Sequence, residues 1–283
     1  MAALAALLLA AQLAAGLASS LSSSPRALQP QLWPGAKFPS PPPLQSQRWA
    51  GAQFPSLRDD YLRATDLRAF VDRHRGRLHH PETAFYVSQA LEECSITRDL
   101  SGTDGLPAEE RRAAREIADH CRGFEGAIID PADIVEMLRY AARWGEPHAL
   151  ARVLLFRDVA APKDDALPDL PWMLTSGEPS IVRDVGAFLS RGDAEWRYGE
   201  ERVPTAIAAI AWELAACDLD SSCEPRSRFA LAQCASLGRC SDWRYEDAVA
   251  TFEPPEIMAA AQRLRVGILR ALRNRDWQWL GLG

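Results

Sequence analysis

Val203-Pro204-Thr205-Ala206-Ile207-Ala208-Ala209-Ile210-Ala211-Trp212-Glu213-Leu214-Ala215-Ala216-Cys217 is the stretch that decides the fold. It holds a proline where a helix would start, then an apolar run broken by one charge, Glu213. A helix that is hydrophobic on every side is normally enclosed by other helices, and its alanines let those neighbours come close. Segment 203–217 is therefore expected at the centre of a helical packing. Glu213, its sole charge, has two readings. It forms an ion pair with one of the many arginines, or it is a buried carboxylate whose ionised form is disfavoured and which marks a site.

The same punctuation recurs on both sides of this helix. Pro81, Pro107, Pro131, Pro147, Pro179, Pro204, Pro225 and Pro255 each precede a run that reads as helix, which suits a residue without an N–H at the first helical position. Helices are expected over 66–76, 81–95, 107–122, 131–144, 147–159, 168–175, 179–190, 203–217, 225–237, 244–252 and 255–273. Ile134, Val135, Leu138, Ala141 and Ala142 trace one amphipathic face; Ile257, Ala261, Leu264, Ile268 and Leu272 trace another. No strand alternation of useful length is found. The fold class is all-α, an array of packed helical hairpins over residues 58–283, either an irregular solenoid or a bundle.

The array carries a faint repeat. Gly145-Glu146-Pro147 returns as Gly177-Glu178-Pro179, and at the same offset Leu138, Val153 and Phe156 match Leu170, Val185 and Phe188. With Ala141-Ala142-Arg143-Trp144-Gly145 and Ala149, this stretch, residues 131–191, resembles the tetratricopeptide and Sel1-like helical-hairpin repeat families. That resemblance implies a groove that holds a peptide or protein, and it brings no catalytic residues. Through Thr65–Val71 and Ala90–Cys94 the body also resembles exported bacterial helical proteins.

The first residues are of a different kind. Met1–Ala18 is apolar apart from Gln12 and leads to Ser19 and Ser20, the pattern of a secretory signal, although no lysine or arginine precedes the run. Residues 1–20 are thus a signal peptide or a short uncleaved anchor. Residues 21–57, rich in proline, serine and glutamine, are a disordered linker. Within them Trp33-Pro34-Gly35-Ala36-Lys37-Phe38-Pro39-Ser40 is echoed by Trp49-Ala50-Gly51-Ala52-Gln53-Phe54-Pro55-Ser56. The echo is either a bivalent docking motif or a slippage duplication.

Charge excludes one function class. The chain of 283 residues carries 32 basic and 38 acidic side chains, and Lys37 and Lys163 are its only lysines. A net charge of -6 does not suit phosphate neutralisation, so nucleic acid is not an expected partner.

Six cysteines, Cys94, Cys121, Cys217, Cys223, Cys234 and Cys240, agree with export to an oxidising compartment, periplasmic or secreted. Zinc fits poorly, because structural sites favour shorter gaps within each ligand pair. A straight helix over 225–237 holds Cys223 and Cys240 roughly 20 Å apart, beyond disulfide reach. Cys217–Cys223 and Cys234–Cys240 are the simplest pairs, with Cys217–Cys234 left open for a tight hairpin. Cys94 and Cys121, each read as ending its helix, make the third bond only if the two helices do not form a plain antiparallel hairpin.

Other constellations are weak. His74, His79, His80 and Glu82 could ligate a metal, but His79-His80-Pro81-Glu82 sits at an expected turn and matches no helical i, i+4 pair, so a solvated loop is the simpler reading. His120 and His148 stand alone. Trp172, Trp196, Trp212, Trp243, Trp277 and Trp279 suit carbohydrate or peptide contacts, or core packing. Nucleophile elbows, zinc-protease motifs and phosphate loops are missing from the sequence. No catalytic, cofactor or metal residue is expected. The leading reading is an exported, non-catalytic protein- or peptide-binding module of the cell envelope. The alternatives are an envelope hydrolase built on Glu213 and a structural periplasmic protein without a specific ligand.

Overall fold

Five prolines do in three dimensions what the sequence asks of them: Pro81, Pro131, Pro147, Pro179 and Pro255 each occupy the first residue of a helix. Pro107 and Pro204 sit one position earlier, as N-caps. The computed structural model describes residues 56–99, 105–156, 166–192, 195–220, 223–242 and 244–283. The expected signal, linker and tail echo therefore lie outside the described residues, apart from Ser56 and Leu57. Twelve α-helices are described: α1 Leu57–Arg63, α2 Leu67–His74, α3 Pro81–Asp99, α4 Ala108–Cys121, α5 Pro131–Arg143, α6 Pro147–Leu154, α7 Leu170–Leu174, α8 Pro179–Leu189, α9 Thr205–Cys217, α10 Arg228–Leu237, α11 Tyr245–Phe252 and α12 Pro255–Asn274. The all-α array of packed helices is the fold, and three disulfides cross-link it.

Two compact units meet in the chain between Ala149 and Leu150. In the first, α3 packs chiefly on α5, with α2, α4 and α1 around it. Side-chain caps start these helices: Ser56, Asp66 and Asp130 each accept a backbone N–H of the first turn, satisfying donors that the helix leaves orphaned. Phe70, Val87, Ala90, Leu91, Leu138 and Ala141 are buried between them. The Cys94–Cys121 bond staples α3 to the end of α4 with a Cα separation of 5.3 Å. Cys94 does not end its helix, contrary to the sequence reading, because α3 runs on to Asp99. The last residue of α4 thus meets the C-terminal half of α3, which a plain antiparallel hairpin would not allow.

In the second unit α9 lies against both α8 and α12. Its alanines 208, 211 and 215 and Trp212 are fully buried. The closest approach is made from the other side: the Cα of Gly186 on α8 lies directly over the Trp212 indole, where a β-carbon would overlap it. The α10 helix starts at Arg228, capped by Ser227, rather than at Pro225, and ends on Gly238 in the left-handed conformation. Both pairings favoured on simple reach are present, Cys217–Cys223 and Cys234–Cys240.

One element departs from the sequence reading. Residues 195–204 form an antiparallel hairpin, β1 Glu195–Tyr198 and β2 Glu201–Pro204. These strands are too short and too charged for an alternation to stand out. They hold because Tyr198 and Val203 point into the core while the C-terminal turn leans on β1.

Candidate functional site

Glu213 takes the ion-pair arrangement. From the buried face of α9 it accepts a hydrogen bond from Arg239 Nη1 at 3.2 Å. The same guanidinium donates to the Tyr245 hydroxyl at 2.8 Å and reaches Glu253 at 3.5 Å. Tyr245 in turn donates a hydrogen bond to Gln233 Oε1 at 3.2 Å. Burial alone would lower the Arg239 guanidinium, but Tyr245, Glu213 and Glu253 outweigh it and hold it above the ordinary arginine value. Burial, with Glu213 beside it, pushes the Tyr245 phenol up, so it stays protonated at physiological pH. Arg239 is carried on the short loop closed by Cys234–Cys240, so the disulfide fixes the cation that the two carboxylates need. Chemically this is an internally bonded network in which Arg239 engages both carboxylates.

The histidines separate. His74 is the buried last residue of α2, within the expected helix 66–76, with Nε2 2.6 Å from Asp60 on α1. Burial would raise Asp60, but hydrogen bonds and charge from His74 and Arg73 prevail and hold its carboxyl below the usual range. His79 is exposed and rests on His80 with ring centroids 4.2 Å apart. Glu82 lies instead near Glu146 and His148, where desolvation first and Glu146 second push its carboxyl up, against His148 and Arg77. Glu146 opens α6 and lies 2.7 Å from His148 Nδ1, and the imidazole stacks on Phe85 at 5.1 Å. Among the described residues no group of histidines, cysteines and carboxylates could hold a metal ion.

The site with room for a ligand lies at the hairpin. A cleft of about 690 Å³ runs between the hairpin and the C-terminal turn, lined by Glu195, Trp196, Arg197, Glu200 and Arg202 from the one and by Asp276, Gln278 and Trp279 from the other. Two glycines make it possible. Gly199 has φ 59° and leads the two-residue turn, as the first position of a type II′ hairpin turn demands. A β-carbon there would also lie 2.9 Å from the Trp279 ring. Gly267 on α12 makes the matching space for the far edge of that indole. Trp279 is further anchored by its carbonyl, which accepts from Gly199 N at 2.7 Å, and Trp196 Nε1 donates to the Leu280 carbonyl at 3.0 Å. Beneath, Trp212 Nε1 donates to the Tyr198 hydroxyl at 2.8 Å, and burial pushes that phenol up.

Its hairpin side is charged in an unusual way. Arg197 and Arg202 face each other across the two strands. Both are exposed, and among the described residues neither has an ion-pair or hydrogen-bonding side-chain partner. Like charges directly opposite in a sheet are destabilising. Sequence reasoning singled out Trp196 and Trp279 but missed these arginines and the hairpin itself. The available signal was Gly199-Glu200 between Trp196-x-Tyr198 and Val203, a glycine-led two-residue turn joining short aromatic and β-branched runs. Trp172 is exposed on α7 and Trp212 is enclosed, while Trp243 lies outside the described residues.

No known protein family, curated protein or solved structure matches this chain. Its three disulfides fit an extracellular or otherwise oxidising compartment. Among the described residues no helix is long and apolar enough to cross a membrane.

Proposed function

We propose that the chain is an exported, non-catalytic interaction module, periplasmic or secreted, which docks an extended protein or peptide segment in the cleft beside the β1–β2 hairpin. The observation that carries this reading is the cleft's make-up: two tryptophans, Trp196 and Trp279, each tied to the hairpin or the C-terminal turn by a hydrogen bond, beside exposed charges of both signs. Peptide sites are commonly preformed grooves with aromatic walls and a few placed polar groups. Export rests on the apolar leader in the sequence together with the disulfides. A hydrolase built on Glu213 gains no support from the network around it, where Arg239 takes up the carboxylate.

The test is site-specific photo-crosslinking of the full-length protein in its own envelope extract. A benzophenone side chain replaces exposed Gln278 in the cleft, or exposed Arg115 on α4 as the control. A polypeptide adduct at position 278 and not at 115 supports docking in the cleft. Equal labelling at both positions, or none at 278, refutes it.

A further inference from the structure

We infer that the cleft selects an extended peptide whose alternate side chains read basic, acidic, basic, with the carboxylate seated between Arg197 and Arg202. This rests on the peptide-docking reading and names the chemistry of the partner.

The argument begins with the hairpin register. Tyr198 pairs with Glu201 around a two-residue turn, so those two residues exchange hydrogen bonds. The next pair, Arg197 and Arg202, is then of the non-hydrogen-bonded kind, in which side chains stand closest. The two arginines leave the sheet as direct cross-strand neighbours, exposed and without a carboxylate on either among the described residues. Each offers a planar fork of donors that matches a carboxylate in bidentate fashion. A pairing that repels itself in the free protein is relieved when an anion enters.

The flanks set the rest of the pattern. Glu195 precedes Arg197 by two residues and so projects from the same face. Glu200 sits in the turn beyond the pair, and both carboxylates line the cleft. Along the hairpin the charges therefore run negative, doubly positive, negative. That sequence repels a uniformly acidic peptide at both ends and a uniformly basic one at the centre. An extended ligand repeats its facing side chains every second residue, the same step that separates Glu195 from Arg197. Lys-x-Glu-x-Lys is the simplest segment that answers all three charges.

The experiment is fluorescence anisotropy of the full-length, oxidised protein with labelled twelve-residue peptides centred on Lys-Ala-Glu-Ala-Lys, Lys-Ala-Gln-Ala-Lys, Lys-Ala-Lys-Ala-Lys or Glu-Ala-Lys-Ala-Glu. The first is expected to bind, and exchanging its glutamate for glutamine to weaken binding about tenfold or more, the range for a charge-assisted hydrogen bond. Arg202→Glu creates an opposite-charge cross-strand pair, so the hairpin persists while the preference for the glutamate peptide is lost. The double variant Arg197→Glu with Arg202→Glu is expected to reverse the preference toward the all-lysine peptide, a gain that misfolding cannot imitate. Equal affinity for the glutamate and glutamine peptides would overturn the inference. So would tighter binding of a sulfated oligosaccharide at this cleft than of any peptide. If a polypeptide still crosslinks at position 278 in either case, the docking reading survives alone; if none does, both fall.

Discussion

Replacing Arg239 by methionine should unfold the second unit at a markedly lower temperature. The side chain is only 8% exposed, and its two carboxylate partners, Glu213 and Glu253, are 19% and 14% exposed. Removing one partner of a buried ion pair typically costs about 3–5 kcal/mol, because the other charge is left without compensation. Here the carboxylates retain some contact with water, and the bonds to them are longer than the 2.8 Å bond to Tyr245. The lower part of that range applies, so a loss of about 3 kcal/mol is expected for Arg239→Met. At about 4 °C per kcal/mol for a unit of this size, the melting temperature falls by about 12 °C. Tryptophan fluorescence is the assay. Trp172, Trp196, Trp212, Trp277 and Trp279 all lie in the second unit, against Trp144 alone among the described residues of the first. Glu213→Gln should cost less, about 1–2 kcal/mol, because the amide can still accept from Arg239. Combined, the two substitutions should cost at least 1 kcal/mol less than their sum, the signature of residues that share a network. An Arg239→Met protein within about 1 kcal/mol of the parent, or strictly additive costs, would refute the claim that this network holds the second unit together.

Three further outcomes test other parts of the account. Gly186→Ala should destabilise by about 1–2 kcal/mol in urea, since overpacking against the Trp212 indole exceeds the roughly 1 kcal/mol that alanine gains in a helix. Cys94→Ala with Cys121→Ala should cost about 3.5 kcal/mol by the loop-entropy relation for a separation of 27 residues, against about 2 kcal/mol for either short loop. Glu82→Gln should change the stability of the first unit at pH 7 by less than about 0.5 kcal/mol, in melts followed by circular dichroism, because the carboxylate is exposed in the first turn of α3, where the helix N-terminus offsets the push from Glu146.

Most of the fold was legible because its signals are local. Proline at the first helical position and serine or aspartate at the cap act within one turn, so the expected helices and the observed ones agree closely, as at Pro131–Arg143. The short-range disulfides were legible for the same reason: helix rise alone set Cys223 and Cys240 too far apart. Where a boundary was misjudged, a local competitor decided it. Ser227 caps α10 better than Pro225 does, and α3 extends past Cys94 because no proline or glycine interrupts Ser95–Asp99. The role of Glu213 was half legible, since the sequence offers many arginines but does not indicate that Arg239 is the one brought round by the Cys234–Cys240 loop. The cleft was not legible at all. It depends on Gly199 and Gly267, distant in sequence, leaving space for one indole, and on a register that sets Arg197 opposite Arg202. Both are properties of the folded chain.

The central claim is that a cross-linked helical body works outside the reducing cytoplasm. Mass mapping of the unreduced protein, alkylated on extraction from its native source and digested, tests it most directly. The account predicts linked peptides for Cys94–Cys121, Cys217–Cys223 and Cys234–Cys240 and no alkylated thiol. Six alkylated cysteines would contradict it.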